Sequence, residues 1–157
     1  MKKIDKNFLF FFILFIFFKF TFSESLSNEE LKFLSLKTNE VNLRLGPSFE
    51  YPIKLTYNKK YLPIIILDKS ETWRKIKDFE NNSGWIHISQ LSKRQTAINN
   101  KDNSILFKKA TIYSKPIARL ELGRLVLINK CNLKWCKITS GNFNGWIKKN
   151  SLWGSVK

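Results

Sequence analysis

Histidine and cysteine are scarce in this chain, which has one His and two Cys in 157 residues. A metal centre needs several ligands close together. His87 has no Cys near it, so no metal site is expected, and no other cofactor either. Acids are also few, with 12 Asp and Glu against 28 Lys and Arg. Glu50, Asp68, Glu71, Asp78 and Glu80 fall in or near loops, and nothing marks two of them as an acid–base pair at a set separation. Cys131 and Cys136 lack the C-x-x-C spacing of a redox pair and have no His in their half of the chain. No catalytic residue is expected, and the chain reads as a non-enzyme. From Lys37 to Ser92 no stretch keeps the 3.6-residue period over the length a helix needs.

What is abundant is basic charge. The net charge is +16 and the pI is near 10. Residues 1–23 hold four lysines and one aspartate, leaving 24 basic and 11 acidic residues, a net +13. Such a surface favours acidic partners. The lysines are dispersed, however, and Lys, Asn, Ile and Phe are all frequent, as A/T-rich coding would make them. The charge therefore has two readings, a binding surface or a compositional bias.

Residues 1–23 read as a secretory signal peptide. A basic head precedes an unbroken apolar run from Phe8 to Phe18, and Thr21 and Ser23 stand at −3 and −1 of a cleavage site. An uncleaved anchor is the alternative, but the run reaches the ~20 residues of a membrane span only by burying Lys19. Membrane contact is expected only in that case. No Cys follows the run, which argues against a lipoprotein anchor. The globular part is expected to be exported, to the periplasm or cell envelope, which excludes most cytosolic roles. Residues 24–36 read as a polar tether.

Five short strand candidates follow, with turn signals between them: Val41–Leu45, Ile53–Tyr57, Leu62–Leu67, Trp73–Lys77 and Trp85–Ile88. Leu62–Leu67 is nearly all apolar, as in a strand buried on both faces. Many short strands in so few residues suggest a small barrel. Strand parity makes Ile76 the core residue of its strand and puts Ile86 and Ile88 together on one face. Trp73 then shares the outer face with Lys75 and Lys77, and Trp85 shares it with His87. Trp73, Trp85 and Tyr51 could form a partly exposed aromatic strip beside Arg44. Flat rings suit sugars and peptide backbones, and cations suit carboxylates. Packing of both tryptophans against a neighbouring loop or repeat is the other reading.

The motifs "VNLRLGPSFEYPI", "TWRKI" and "GWIHISQL" resemble bacterial SH3-like (SH3b) domains of exported envelope proteins. Asn42, Leu43, Arg44, Gly46 and Pro47 match the family's opening N-L-R-x-G-P, and Tyr51-Pro52 the aromatic-rich loop after it. Trp73 and Ile76 match W-x-x-V/I, and Gly84-Trp85-Ile86 matches G-W-V. Eukaryotic SH3 domains have proline where His87 stands, so proline-peptide recognition is not carried over, and His87 reads as a surface or barrel-end side chain. The resemblance implies an all-β fold of small barrels and a binding module for peptidoglycan or an envelope protein. Arg44, Tyr51, Trp73 and Trp85 are the candidate ligand contacts. A structural or assembly role through protein–protein contacts is the alternative.

A second, degenerate copy occupies the rest of the chain. Ala110–Pro116 aligns with Val41–Pro47 at an offset of 69, Trp135 with Trp73 at 62, and Gly145-Trp146 with Gly84-Trp85 at 61. On that alignment Arg44 becomes Tyr113, Gly46 becomes Lys115, and the Phe49–Pro52 loop has no counterpart. The closing pattern resembles the second domain of two-domain SH3-like envelope proteins of alphaproteobacteria. The expected layout is residues 1–23 signal peptide, 24–36 tether, 37–92 first repeat, 93–104 linker, whose first part could still pair as an edge, and 105–157 second repeat. Cys131 and Cys136 flank a four-residue turn and could face each other across a hairpin. After export such a pair reads as a disulfide, with free thiols as the alternative. Stacked bases would suit a basic, aromatic barrel, but export and the absence of a basic cluster or motif argue against nucleic acid.

Overall fold

The computed structural model describes residues 32–156, so the leader 1–23 lies outside the described residues. The first seven strands are β1 (Lys32–Leu36), β2 (Val41–Arg44), β3 (Ile53–Tyr57), β4 (Pro63–Ser70), β5 (Trp73–Lys77), β6 (Ser83–His87) and β7 (Leu91–Ser92). A 3-10 turn, Ile88–Gln90, leads into β7. They form one antiparallel sheet in the order β3-β2-β6-β5-β4-β1-β7. The sheet closes around one core. Tyr57 on one edge strand and Leu91 on the other are buried in the same cluster as Leu36, Leu43, Ile64, Ile76 and Ile86.

The next seven strands repeat this plan. They are β8 (Thr96–Asn99), β9 (Ser104–Phe107), β10 (Pro116–Leu120), β11 (Leu125–Cys131), β12 (Trp135–Ser140), β13 (Phe143–Lys148) and β14 (Leu152–Gly154), with a 3-10 turn at Lys149–Ser151. Their sheet order is β10-β9-β13-β12-β11-β8-β14, the first order with seven added to each label. The expected all-β fold of two tandem SH3-like units is therefore present. Both copies carry a bulge at the same place. Ile66 faces Ile76 while Asp68 faces Lys75, and Ile128 faces Ile138 while Lys130 faces Lys137. An extra residue on one strand bends it, which helps a short sheet to curl. The bulge turns Leu67 out to solvent, so Leu62–Leu67 is not buried along its whole length as its composition suggests.

Three sequence expectations need correction. The end of the tether is a strand: β1 pairs with β4 and β7, and Ser35 and Leu36 are fully buried. The linker contains a strand too, since all four residues of β8 are buried between β11 and β14. Both look polar, and although Thr96 Oγ1 and Asn99 Oδ1 find no hydrogen-bond partner among the described residues, other polar atoms do structural work. Ser35 Oγ donates to the carbonyl of Arg94 at 3.0 Å. Asn99 Nδ2 donates to the carbonyls of Lys101 (2.7 Å), Leu120 (3.1 Å) and Glu121 (2.8 Å). Buried polar groups persist where such partners exist.

The third correction is the internal alignment. Arg44 pairs with Trp85, and Phe107 pairs with Trp146. Gly84 abuts Leu43 and the Arg44 carbonyl, as Gly145 abuts Leu106 and the Phe107 carbonyl. So β9, not Ala110–Pro116, is the counterpart of β2, an offset of 63 (44 to 107). Pro116 pairs with Phe107 as Ile53 pairs with Arg44. The intervening loops, 45–52 and 108–115, are therefore equal in length, and Phe49 corresponds to Ile112.

The two barrels touch through Trp153 of β14. Its ring meets Phe33 of β1 edge-on at 5.2 Å and Phe79 at 5.6 Å between centroids. Offset or edge contacts of this kind add modestly to the area they bury.

The first barrel holds a buried acid that the second lacks. Asp78 Oδ2 accepts from the Tyr57 hydroxyl at 2.9 Å, and Asp78 also accepts from the Asn82 backbone and side-chain amides. Burial pushes the Tyr57 phenol well above its ordinary range, aided by the Asp78 hydrogen bond and by the negative charges of Asp78 and Glu80. An unfolded chain releases this proton near pH 10, while the folded chain keeps it. The linked stability is thus complete below pH ~10 and is lost as pH rises through the folded value. Tyr57→Phe should remove that part of the alkaline loss. Urea midpoints of wild type and variant at pH 8 and pH 11 check it, and equal alkaline slopes would refute the assignment.

Candidate functional site

In the first barrel the structure places the four predicted contacts unequally. Arg44 ends β2 on the outer face, as parity predicts. Its Nη1 donates to the carbonyls of Phe49 (3.0 Å) and Tyr51 (2.7 Å), and its guanidinium lies 5.7 Å from the Phe49 ring centroid. The arginine thus holds the β2–β3 loop down on the sheet. Phe49 in turn lies 4.9 Å from Trp73 and 5.5 Å from His87. Trp73 and His87 are themselves cross-strand partners, 5.3 Å apart. Trp73 is therefore only 6% exposed and is not part of an open strip. Parity was right about its face, but it could not know that the loop folds back over that face.

Tyr51 is 47% exposed, and its ring lies so close to Gly46 that a Cβ there would stand 2.5 Å from it. Trp85 is half-buried in a cross-strand row between Arg44 and Lys75. Arg44, Trp73 and Trp85 thus come to one face, but Trp73 is covered. His87, besides packing on Phe49, has its Nδ1 2.8 Å from Ser89 Oγ at the start of the 3-10 turn. Phe49 joins this cluster from the loop, and His87, on the outer face as parity predicts, packs within it although it was not among the four predicted contacts.

The second barrel leaves the matching place open. A groove of about 730 Å³ runs between three walls. Ala110–Ile112 come from the β9–β10 loop, Leu133–Trp135 from the β11–β12 hairpin, and Lys148–Asn150 from the end of β13 and its 3-10 turn. Trp135 corresponds to Trp73, Ile112 to Phe49 and Lys148 to His87. The tryptophan is kept, but the two rings that cover it in the first barrel are replaced by aliphatic chains. Phe107, in the position of Arg44, packs edge-on against Trp135 at 5.8 Å. Leu133 and Ile112 form exposed apolar lips, 95% and 52% accessible. Lys134, Lys148 and Lys149 line the groove and no acid does. A second hollow of about 340 Å³ continues from it, sharing Ile112, Lys148 and Asn150.

The hairpin wall is fixed at its root and its tip. Cys131 and Cys136 are register partners joined by a disulfide, as the sequence analysis expected. Inside that loop Asn132 Oδ1 accepts from the backbone amides of Lys134 (3.0 Å) and Trp135 (2.7 Å). The backbone amide of Lys149 donates to the Lys134 carbonyl at 2.9 Å, tying the hairpin to the 3-10 turn. The sequence signal for this site was faint. Lys134 lies 14 residues from Lys148, and the two meet only because β12 and β13 are paired, with Trp135 opposite Lys148. Among the described residues, no group of three or more His, Cys, Asp or Glu side chains could hold a metal.

Comparison with known proteins follows the same division into two units. A family model described as "Bacterial SH3 domain" matches residues 37–93 and again 100–154. No curated protein matches the chain. Solved structures with some likeness include NlpC2 from Trichomonas vaginalis, at 15% identity and TM-score 0.37, covering 81% of this chain and 49% of that one. NlpC1 from the same organism gives 14% and 0.36, covering 80% and 46%. An NlpC/P60 family protein from Bacillus cereus gives 12% and 0.34, covering 78% and 56%. The chain spans about half the length of these structures.

Proposed function

The chain belongs to the bacterial SH3 domain family, a family of binding modules, and from that premise we propose that it is an exported, non-catalytic module of the cell envelope that recognises peptidoglycan. The observation that carries this reading is the open, lysine-lined groove over Trp135. Its aromatic floor and unopposed cations suit a polymer bearing carboxylates. The side chains that could support catalysis are otherwise engaged. Asp78 is buried on Tyr57, His87 is bonded to Ser89, and both cysteines are in the disulfide. Glu50, Asp68, Glu71 and Glu80 are dispersed and exposed.

Export rests on the leader and the disulfide, which forms in oxidising compartments. The exposed lips Leu133 and Ile112 favour a second reading, an apolar interface with an envelope protein. Salt separates the two, because exposed charge pairs are screened and apolar contacts are not. Co-sedimentation of the chain from residue 24 onward with purified peptidoglycan, at ~0.05 M and ~0.5 M salt, is the test. Binding that falls with salt is expected. No binding at either salt would overturn the wall reading, and binding that does not fall would transfer it to an apolar contact.

A further inference from the structure

The two barrels share a topology but differ over the tryptophan they have in common, Trp73 in the first and Trp135 in the second. In the first, Phe49 lies over Trp73, itself 65% exposed while leaving Trp73 only 6% exposed, and Arg44 holds the Phe49 loop in place through two backbone carbonyls. In the second, Ile112 replaces the ring and Phe107 replaces the arginine, so the loop has no such latch and the space stays open. The first barrel therefore shows what fills the second: an apolar side chain lying on the indole between the loop and the hairpin.

We propose that the second barrel alone is the ligand-binding unit, and that its groove takes an extended acidic peptide whose carboxylates meet Lys134, Lys148 and Lys149 while an apolar side chain sits on Trp135 between Ile112 and Leu133. The inference rests on the wall-binding reading above and names its ligand class.

Three observations select a peptide over a glycan or a polyphosphate. Trp135 is half-buried and already has Phe107 set edge-on against it, leaving part of the indole rather than an open plane for a sugar to stack on. Both lips are aliphatic and exposed, which suits methyl and methylene groups. The groove also carries three lysines and no arginine, so it offers point charges at separate places rather than the planar fork that grips one phosphate bidentately. The neighbouring hollow of about 340 Å³, which brings in Lys101 and one acid, Asp102, prolongs the groove beyond the length a single small molecule needs and so suits an extended chain.

The test uses the exported chain and dye-labelled synthetic peptides, read by fluorescence anisotropy. The probes are an Ala/Glu tetrapeptide, its Ala/Gln counterpart, an N-acetylglucosamine oligomer and inorganic polyphosphate as competitors. The acidic peptide should bind, and the Gln peptide should bind about tenfold more weakly or worse. Lys134→Glu with Lys148→Glu should weaken the acidic peptide by at least about tenfold. Both lysines are exposed, so the circular dichroism melt should not move. Phe49→Ala in the first barrel should leave peptide affinity unchanged. Equal binding of both peptides, stronger competition by the glycan or polyphosphate, or unaltered affinity in the double variant would overturn the proposal. If peptidoglycan still sediments the double variant, the groove assignment fails and the wall reading stands. If the acidic peptide binds in the groove but peptidoglycan does not sediment the protein, the wall reading fails and the groove assignment stands.

Discussion

Gly145→Ala should strongly destabilise the second barrel, and Gly84→Ala the first, each leaving its neighbour unaffected. Neither glycine has an unusual backbone conformation; what each lacks is room. A Cβ on Gly84 would stand 2.6 Å from the Arg44 carbonyl oxygen and 2.7 Å from Leu43 Cγ. One on Gly145 would stand 2.7 Å from the Phe107 carbonyl oxygen and 2.8 Å from Leu106 Cγ. A flexible side chain could step aside, but a carbonyl of the facing strand cannot move without parting β2 from β6, or β9 from β13. Overpacking of a core typically costs about 1–3 kcal/mol, and a backbone obstacle puts these sites at or above ~3 kcal/mol. Units this small have little stability in reserve. The midpoint of the affected barrel should fall by more than about 10 °C. Hydrogen exchange on the two halves assigns the loss to one barrel. A midpoint within a degree of wild type in either variant would show that the sheets yield more easily than their geometry implies.

The Gly-Trp motif was legible in sequence for this reason: it marks where the sheet closes, and only glycine fits. The alternation of Val41 and Leu43, the Trp73…Ile76 pair and the turn signals were legible as well, because they record local periodicity. What stayed hidden depends on distant chain. Lys32–Leu36 is half polar, and its role as β1 comes from pairing with β4 and β7, far along the sequence. Thr96–Asn99 looks like a linker because Asn99 is polar, yet that amide bridges three carbonyls inside the fold. The alignment of Pro116 with Pro47 was misleading because a shared proline and similar loop composition outweighed the four-residue strand β9. With β9 in register, Arg44 and Phe107 stand in equivalent positions, and the contrast between the filled and open grooves follows. Parity assigned Trp73 to the correct face, but whether that face is bare was decided by Phe49, a loop residue outside any strand pattern.

Removing the disulfide, by Cys131→Ala with Cys136→Ala or by reduction, should weaken both the second barrel and its groove. The ring it closes is short, with a sequence separation of 5, so the stabilisation lies at the low end of the usual range, about 2 kcal/mol. The effect on binding exceeds what that figure suggests, because Leu133, Lys134 and Trp135 all lie between the two cysteines. Lys130 and Lys137 would still pair below the break, so the barrel should fold. The tip would keep only its Asn132 turn and the Lys149–Lys134 backbone bond. If the wall then holds its bound arrangement a tenth of the time, apparent affinity falls about tenfold. Acidic-peptide titrations on oxidised, reduced and double-Ala protein, beside melting curves, measure both effects. Unchanged affinity and midpoint after reduction would refute the link. The expected result has a physiological side: since such a bond persists mainly in oxidising compartments, the groove would be complete only where the two thiols are oxidised. A copy retained in a reducing compartment would carry the same two barrels but a loose wall.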